Sequence, residues 1–239
     1  MSKTVMSEAM KESVGFYSAQ DAFLINSILW GNKTNLDKAI ESTHLNNTGM
    51  IREAMEQTPE VRFSWLSKEE AQRFLETYKR RTPDKITEAA KAEMIELAIN
   101  DIQNICNAIK MHPADSDILL YRNIVAEDSA IKDIVTGKIV DFKGITSTST
   151  TGQKISYGNK KFHETLHQYY IKVPAGMPVL VFGKGNDFRD DENEAILPPM
   201  QYKITDVRDG EECKIVELEP IKPLDVDLLI KEAKLKLEI

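Results

Sequence analysis

The period of the apolar positions changes about halfway along the chain. From about residue 18 to 110 they recur at the three- and four-residue spacing of amphipathic helices, whereas from about 117 to 220 short β-rich runs are separated by Gly, Pro, Asn and Asp. The change falls near Met111-His112-Pro113. This predicts an N-terminal helical region, 1–112, and a second region, 113–239, forming one compact unit between them. Helices are expected over 19–30 and 49–57. Ser67 and Glu70 make a capping box ahead of a helix ending near Arg81, and Thr82-Pro83 reads as a cap followed by proline at the first position of a long helix. In that helix Ile86, Ala90, Met94, Leu97, Ile102, Ile105 and Ile109 form one stripe, a core face with charges opposite.

In the second half, strands are expected over 117–125, 139–149, 169–173, 178–182, 194–197, 202–207 and 213–218. Asp209-Gly210 supplies a tight turn between the last two, and 224–239 is an amphipathic helix or strand that closes the fold. Strand alternation puts Ile118, Leu120 and Arg122 on one face of the first strand and Leu119, Tyr121 and Asn123 on the other. The fold class is therefore α+β.

Composition narrows the function. A hydrophobic share of 41% supports an ordinary buried core, and a formal net charge of -7 argues against phosphate-driven nucleic-acid binding. The basic run Lys79-Arg80-Arg81 ends a helical pattern, where cations offset the helix dipole. No apolar run reaches the roughly 18 residues of a membrane helix, and the opening MSKTVMSEAMKESVG lacks a signal-peptide core, so a cytoplasmic protein is expected. Cys106 and Cys213 are too few for a disulfide framework or a Cys-rich zinc site.

Three short patterns carry candidate chemistry. Glu192 and Glu194, two apart at the start of a strand, would project to the same side with Asn193 turned away, and like charges aimed at one point call for a cation or a reaction. In Ser147-Thr148-Ser149 the two serines share a strand face and can offer hydroxyls to a pocket. Arg122 ends an otherwise apolar face, so its guanidinium must meet solvent, a carboxylate of the fold, or a bound anion such as phosphate.

Tyr121-Arg122, then Ser147-Thr148-Ser149 after Lys143-Gly144-Ile145-Thr146, then Glu192-Asn193-Glu194 before Ala195-Ile196-Leu197-Pro198, resemble in their order the Arg-Ser-Glu class of mono-ADP-ribosyltransferases. That class includes actin-modifying toxins, vertebrate ecto-transferases and the Mod and Alt enzymes of T-even phages, which the chain resembles most. The likeness covers roughly 117–218. It implies an ADP-ribosyltransferase-like fold, with a helical N-terminal part packed on two small mixed or antiparallel sheets that form an NAD cleft. It also implies transfer of ADP-ribose from NAD to an arginine of a target protein, a host protein for a phage enzyme or effector, in the cytoplasm of that host.

By the same resemblance Arg122 would bind the NAD phosphates, and the backbone near Asn123 would hold the nicotinamide amide. Ser147, with Thr148 and Ser149, would line the NAD site, and Ser147 would orient Glu194. Glu194 would bond the ribose 2′-hydroxyl and stabilise the oxocarbenium centre, while Glu192 would engage the incoming arginine. Phe188, in the loop 183–191, would contact the target, and Tyr157 or Phe162 would stack near nicotinamide. Asn123 stands where many members have Gly, and Ile145 where many have Phe.

A competing pattern is His163-Glu164-Thr165-Leu166-His167, which matches the HExxH of zinc metalloproteases, with Glu192 as a conceivable third ligand. Such a site needs a helix that continues past the second histidine, but Gln168-Tyr169-Tyr170-Ile171 turns β-rich at once. In the transferase reading both histidines lie on the exposed side of a short helix, and no metal is bound. The remaining alternative is an inactive transferase-like module that only binds a partner.

Overall fold

The structure is a computed structural model, and it describes residues 6–62, 67–127, 134–152, 164–182, 193–210 and 213–239. Two compact units divide the chain, one formed by 1–108 with 226–239 and the other by 109–225. The terminal segment therefore belongs with the helical unit, as a helix. Among the described residues no helix is long and apolar enough to cross a membrane.

The helical unit contains α1 (Glu8–Phe16), a π-helical turn (Tyr17–Asp21), α2 (Ala22–Trp30), α3 (Lys33–Gln57), α4 (Pro59–Arg62), α5 (Lys68–Arg81), most of α6 (Glu88–Lys110), and α7 (Val226–Leu237). The capping box at Ser67 and Glu70 is complete in both directions, 3.3 Å from the Glu70 N–H to Ser67 Oγ and 2.9 Å from the Ser67 N–H to the Glu70 carboxylate. The cap of α6 differs from expectation. Residues 82–87 are not helical, and Thr87 accepts the Ala90 N–H at 3.2 Å, so the long helix starts one turn later than Pro83 suggests. Gly31 ends α2 with φ 61°, a left-handed conformation that costs glycine nothing.

Phe16, Phe74 and Tyr78 form an aromatic cluster with ring centroids 4.8 to 5.1 Å apart. Arg81 lies over Phe16 at 4.2 Å from the ring centroid and bonds the buried carboxylates of Asp101 and Asp21.

The second unit is built on eight strands: β1 (Ile118–Glu127), β2 (Ile139–Phe142), β3 (Thr146–Ser149), β4 (Glu164–Val173), β5 (Leu180–Val181), β6 (Glu194–Leu197), β7 (Met200–Asp209) and β8 (Lys214–Pro223). Their order is β2-β7-β8-β4-β1-β3-β6-β5. The ladder is continuous, where two separate sheets were expected. Its weak point is the β1/β3 junction, described by the single pair Tyr121↔Ser149, whereas β1 and β4 pair from Ile118↔Val173 to Glu127↔Glu164. All pairings are antiparallel except β4 with β8. One face of the sheet carries the core, with Leu120, Ile171, Val173, Ala195, Leu197, Tyr202, Ile204, Val216 and Leu218 buried together.

Candidate active site

The three patterns, separated by 25 and more residues in sequence, fall on the adjacent strands β1, β3 and β6. Strand β3 is the middle member. Its serines, Ser147 and Ser149, are half-buried, while Thr146 and Thr148 alternate with them into the core. Ser149 stands directly opposite Glu194 on β6 and opposite Tyr121 on β1, so Tyr121, Ser149 and Glu194 form one row across three strands. Tyr170 on β4 extends the row, its ring edge-on to Tyr121 at 5.1 Å. Gly152 packs against this row: a Cβ there would lie 3.3 Å from the Tyr121 ring, a contact tight enough that the ring would have to give by a few tenths of an ångström.

Arg122 is half-buried and donates from Nη1 to the Ser147 carbonyl at 2.9 Å. Among the described residues no carboxylate pairs with it. Behind it lie Tyr169 and Tyr202, whose phenols burial pushes up from the usual value, with the Arg122 charge opposing the shift only in part. Both phenols therefore stay neutral and offer the guanidinium no counter-charge. A half-buried guanidinium with no carboxylate partner among the described residues is a ready partner for an anion.

The other expected residues divide into two groups. Thr148 is buried on the core face and gives its hydroxyl to the Ala195 carbonyl at 2.7 Å, which ties β3 to β6. Alternation along the strand sends it away from Ser147 and Ser149. Asn123 is half-buried beside Arg122 and pairs with Gln168. Ser149 Oγ accepts the Thr151 N–H at 3.1 Å and donates to the Thr151 carbonyl at 2.9 Å, capping the turn that leaves β3. Ser147 lies one step further along, opposite Ile196. Glu192, Phe188, Tyr157, Phe162 and His163 lie outside the described residues.

Two expectations from spacing change with the backbone. Strand β6 begins at Glu194, and Asn193 before it has φ 47°, so strand alternation does not reach back to Glu192. The HExxH segment is not helical either. Glu164 onward is strand β4, and His167 is wholly buried on the core face, with its ring 6.3 Å from that of Tyr169, rather than exposed on a short helix. The helical face that would bring two histidines to one metal is absent there, and no group of three His, Cys, Asp or Glu suited to a metal occurs among the described residues.

Thr150 was not singled out from the sequence, yet it makes two contacts in the site. Its N–H at 2.7 Å and its hydroxyl at 3.1 Å both donate to the Asn193 carbonyl. Its only signal in the sequence is that it continues the Ser-Thr run.

In sequence, the chain matches no family model and no curated protein. In structure it is similar to the enzymatic component C2-I of the C2-toxin from Clostridium botulinum, with a TM-score of 0.51 at 14% identity over 92% of this chain and 44% of that one. The chain thus spans less than half of C2-I. The C3 exoenzyme of Clostridium limosum aligns with 91% of this chain and 87% of its own at 12% identity and a TM-score of 0.49. Vis, an ADP-ribosyltransferase toxin from Vibrio splendidus, aligns with 92% and 89% at 14% identity and 0.45. The chain has the mixed helix-and-sheet fold of the ADP-ribosyltransferase toxins.

Proposed function

We propose that the chain is a mono-ADP-ribosyltransferase that cleaves NAD and transfers ADP-ribose to an arginine of a target protein. One observation carries the reading: across three adjacent strands the Arg122 guanidinium, which no described carboxylate pairs, bonds the Ser147 carbonyl, and Ser149 stands opposite Glu194. That is the set of groups NAD cleavage needs. The fold shared with C2-I supports it.

The chemistry assigns each group a task. When the bond from ribose C1′ to the nicotinamide nitrogen breaks, its electron pair neutralises the pyridinium, so the leaving group needs no proton. Positive charge then builds on the ribose. Arg122 grips the pyrophosphate in bidentate fashion and fixes NAD in place, with the backbone at Asn123 beside the nicotinamide amide. The Glu194 carboxylate, oriented from β3 by Ser147, stabilises the oxocarbenium, as a carboxylate does in glycoside hydrolysis. Glu192 takes the proton that the acceptor guanidinium must lose as its nitrogen bonds to C1′. Phe188 contacts the target protein, and Tyr157 or Phe162 covers the nicotinamide.

Nicotinamide release with and without a protein acceptor tests this division. Glu194→Gln should abolish both arginine transfer and hydrolysis of NAD by water, because the two share the ribose transition state. Glu192→Ala should remove transfer and leave much of the hydrolysis. Equal loss of hydrolysis in both variants would overturn the roles, and full transfer by Glu192→Ala would remove the arginine assignment.

A further inference from the structure

We propose that a groove on the sheet docks a basic segment of the acceptor protein, about six residues away from the arginine that is modified; the inference rests on the transferase reading above. The groove has a volume of about 680 Å³ and is lined from β1, β4, β7 and β8. Leu119, 39% exposed, and Pro174 give it an apolar side. Asp117, Asp206, Glu217 and Glu219 give it an acidic one. Its excess charge is negative, because these four carboxylates meet two cations: Lys172 and Arg208 both bond Glu217, and Arg208 also bonds Asp206. Asp117 accepts only the Ala175 N–H, at 2.9 Å. Glu219 is exposed, and no cation pairs with it among the described residues.

The groove shares a face of the sheet with Glu194. Ladder partners run Glu194↔Ser149, Ser149↔Tyr121, Tyr121↔Tyr170 and Tyr170↔Glu217, and directly paired residues project to the same side. One line of side chains therefore leads from the carboxylate, across two half-buried tyrosines, to the edge of the groove. Four strand spacings of roughly 4.8 Å put its ends about 19 Å apart, the length of about six extended residues. In the transferase reading the bond to the acceptor forms at the ribose beside Glu194. A chain leaving the acceptor arginine along this line reaches the groove at about its sixth residue. There the unpaired carboxylates match Lys or Arg, and Leu119 matches an apolar neighbour.

Three acceptors test this: agmatine, a single-arginine peptide with Lys-Leu-Lys centred about six residues from the arginine, and the same peptide with Gly-Ser-Gly there. For the wild type, KM for the Lys-Leu-Lys peptide should lie about tenfold below that for the Gly-Ser-Gly peptide, and Glu219→Lys should erase the difference. Glu219→Gln, which sets no new cation opposite Lys203, should lose most of it. In both variants NAD hydrolysis and transfer to agmatine should stay within about twofold of wild type. Glu41→Lys, the same charge change at an exposed position on α3, should keep the preference. A wild type with no preference, a preference that survives in Glu219→Lys, or equal loss in Glu41→Lys overturns the proposal. So does a dimer in sedimentation that Glu219→Lys dissociates, because a second copy would then fill the groove. If the wild type modifies no acceptor, the transferase reading fails, and the groove is judged by fluorescence anisotropy of the labelled Lys-Leu-Lys peptide. Binding about tenfold weaker in Glu219→Lys than in Glu41→Lys supports docking, and equal binding overturns it.

Discussion

Replacing Asp21 with asparagine would relieve a conflict built into the helical unit. The Asp21 carboxylate closes the π-helical turn and is buried, 3.4 Å from Arg81 Nη2 and 3.5 Å from Asn47 Nδ2. Asp101, also buried, takes the same guanidinium through both of its oxygens, and Ser13 donates to it at 2.8 Å. One cation thus serves two buried anions, and Asp21 holds the longer contact. Burial pushes its carboxyl up from 3.8 to about 6, with Arg81 lowering it and Asp101 raising it. The folded chain therefore holds this proton more tightly than the unfolded chain does. The stability that results is fully present below the unfolded value of 3.8 and is lost as pH rises through about 6. Over roughly two pH units at 1.36 kcal/mol each, the loss is about 3 kcal/mol. Asparagine carries no charge at any pH, so Asp21→Asn should escape it. The difference in unfolding free energy, variant minus wild type, should rise by about 2 to 3 kcal/mol from pH 4.5 to pH 8, and at pH 8 the variant should be the more stable. Both tryptophans, Trp30 and Trp65, lie in the segment 1–108, so urea unfolding followed by tryptophan fluorescence reports this unit. A variant less stable than wild type at pH 8, by an amount independent of pH, would show that Asp21 is an ordinary ionised partner of Arg81 and refute the reasoning.

Two further expectations concern the sheet. Arg122→Lys keeps the charge but loses the planar fork and its geometry on the Ser147 carbonyl, so NAD binding measured by calorimetry should weaken by about 1 to 3 kcal/mol, and unchanged affinity would remove the phosphate role. His167→Ala empties a wholly buried ring position, so it should lower stability by about 2 to 4 kcal/mol in urea, while a chelator leaves nicotinamide release by the wild type unchanged. Stoichiometric zinc, lost together with activity on chelation, would revive the protease reading.

Local signals in the sequence were reliable where a single interaction decides the structure. The Ser67/Glu70 box, the alternation of β1 and the bounds of β6 all follow from neighbours within four residues, whereas Asp209, expected in the tight turn, still pairs with Lys214 in the ladder. The misses share a different cause. In α3 the buried stripe runs Leu36, Ala39, Ile40, Thr43, Asn47, Met50 and Ala54, so two polar residues interrupt its apolar period, and only the second half reads as helix. Asn47 is on that stripe because it meets Asp21, a partner on another helix that spacing cannot reveal. Around His167 two templates compete. The i, i+4 histidines suggest a helix, while His167, Tyr169, Ile171 and Val173 alternate as a strand, and pairing with β1 and β8 decides for the strand.

The sequence marked Arg122, Ser147, Ser149 and Glu194 but not the pairing that joins their strands, and strand β3 explains why. Shifting β3 by one residue against β6 would exchange Ser147 and Ser149 for Thr146 and Thr148 on the site face, and the serine pair would turn into the core. The sequence of β3 is a run of small hydroxyl residues, so hydrophobic patterning alone barely distinguishes the two registers. What distinguishes them is tertiary. Thr148 bonds the Ala195 carbonyl inside the core, and Thr150 bonds the Asn193 carbonyl at the strand's exit. Two threonines thus determine which side chains of β3 share a face with Glu194. A hydroxyl at position 148 is also costly to lose, because removing it leaves the Ala195 carbonyl in a buried place without that donor. Within the three-residue motif the middle threonine, bonded to the Ala195 carbonyl, holds the register that keeps both serines on the face of Glu194.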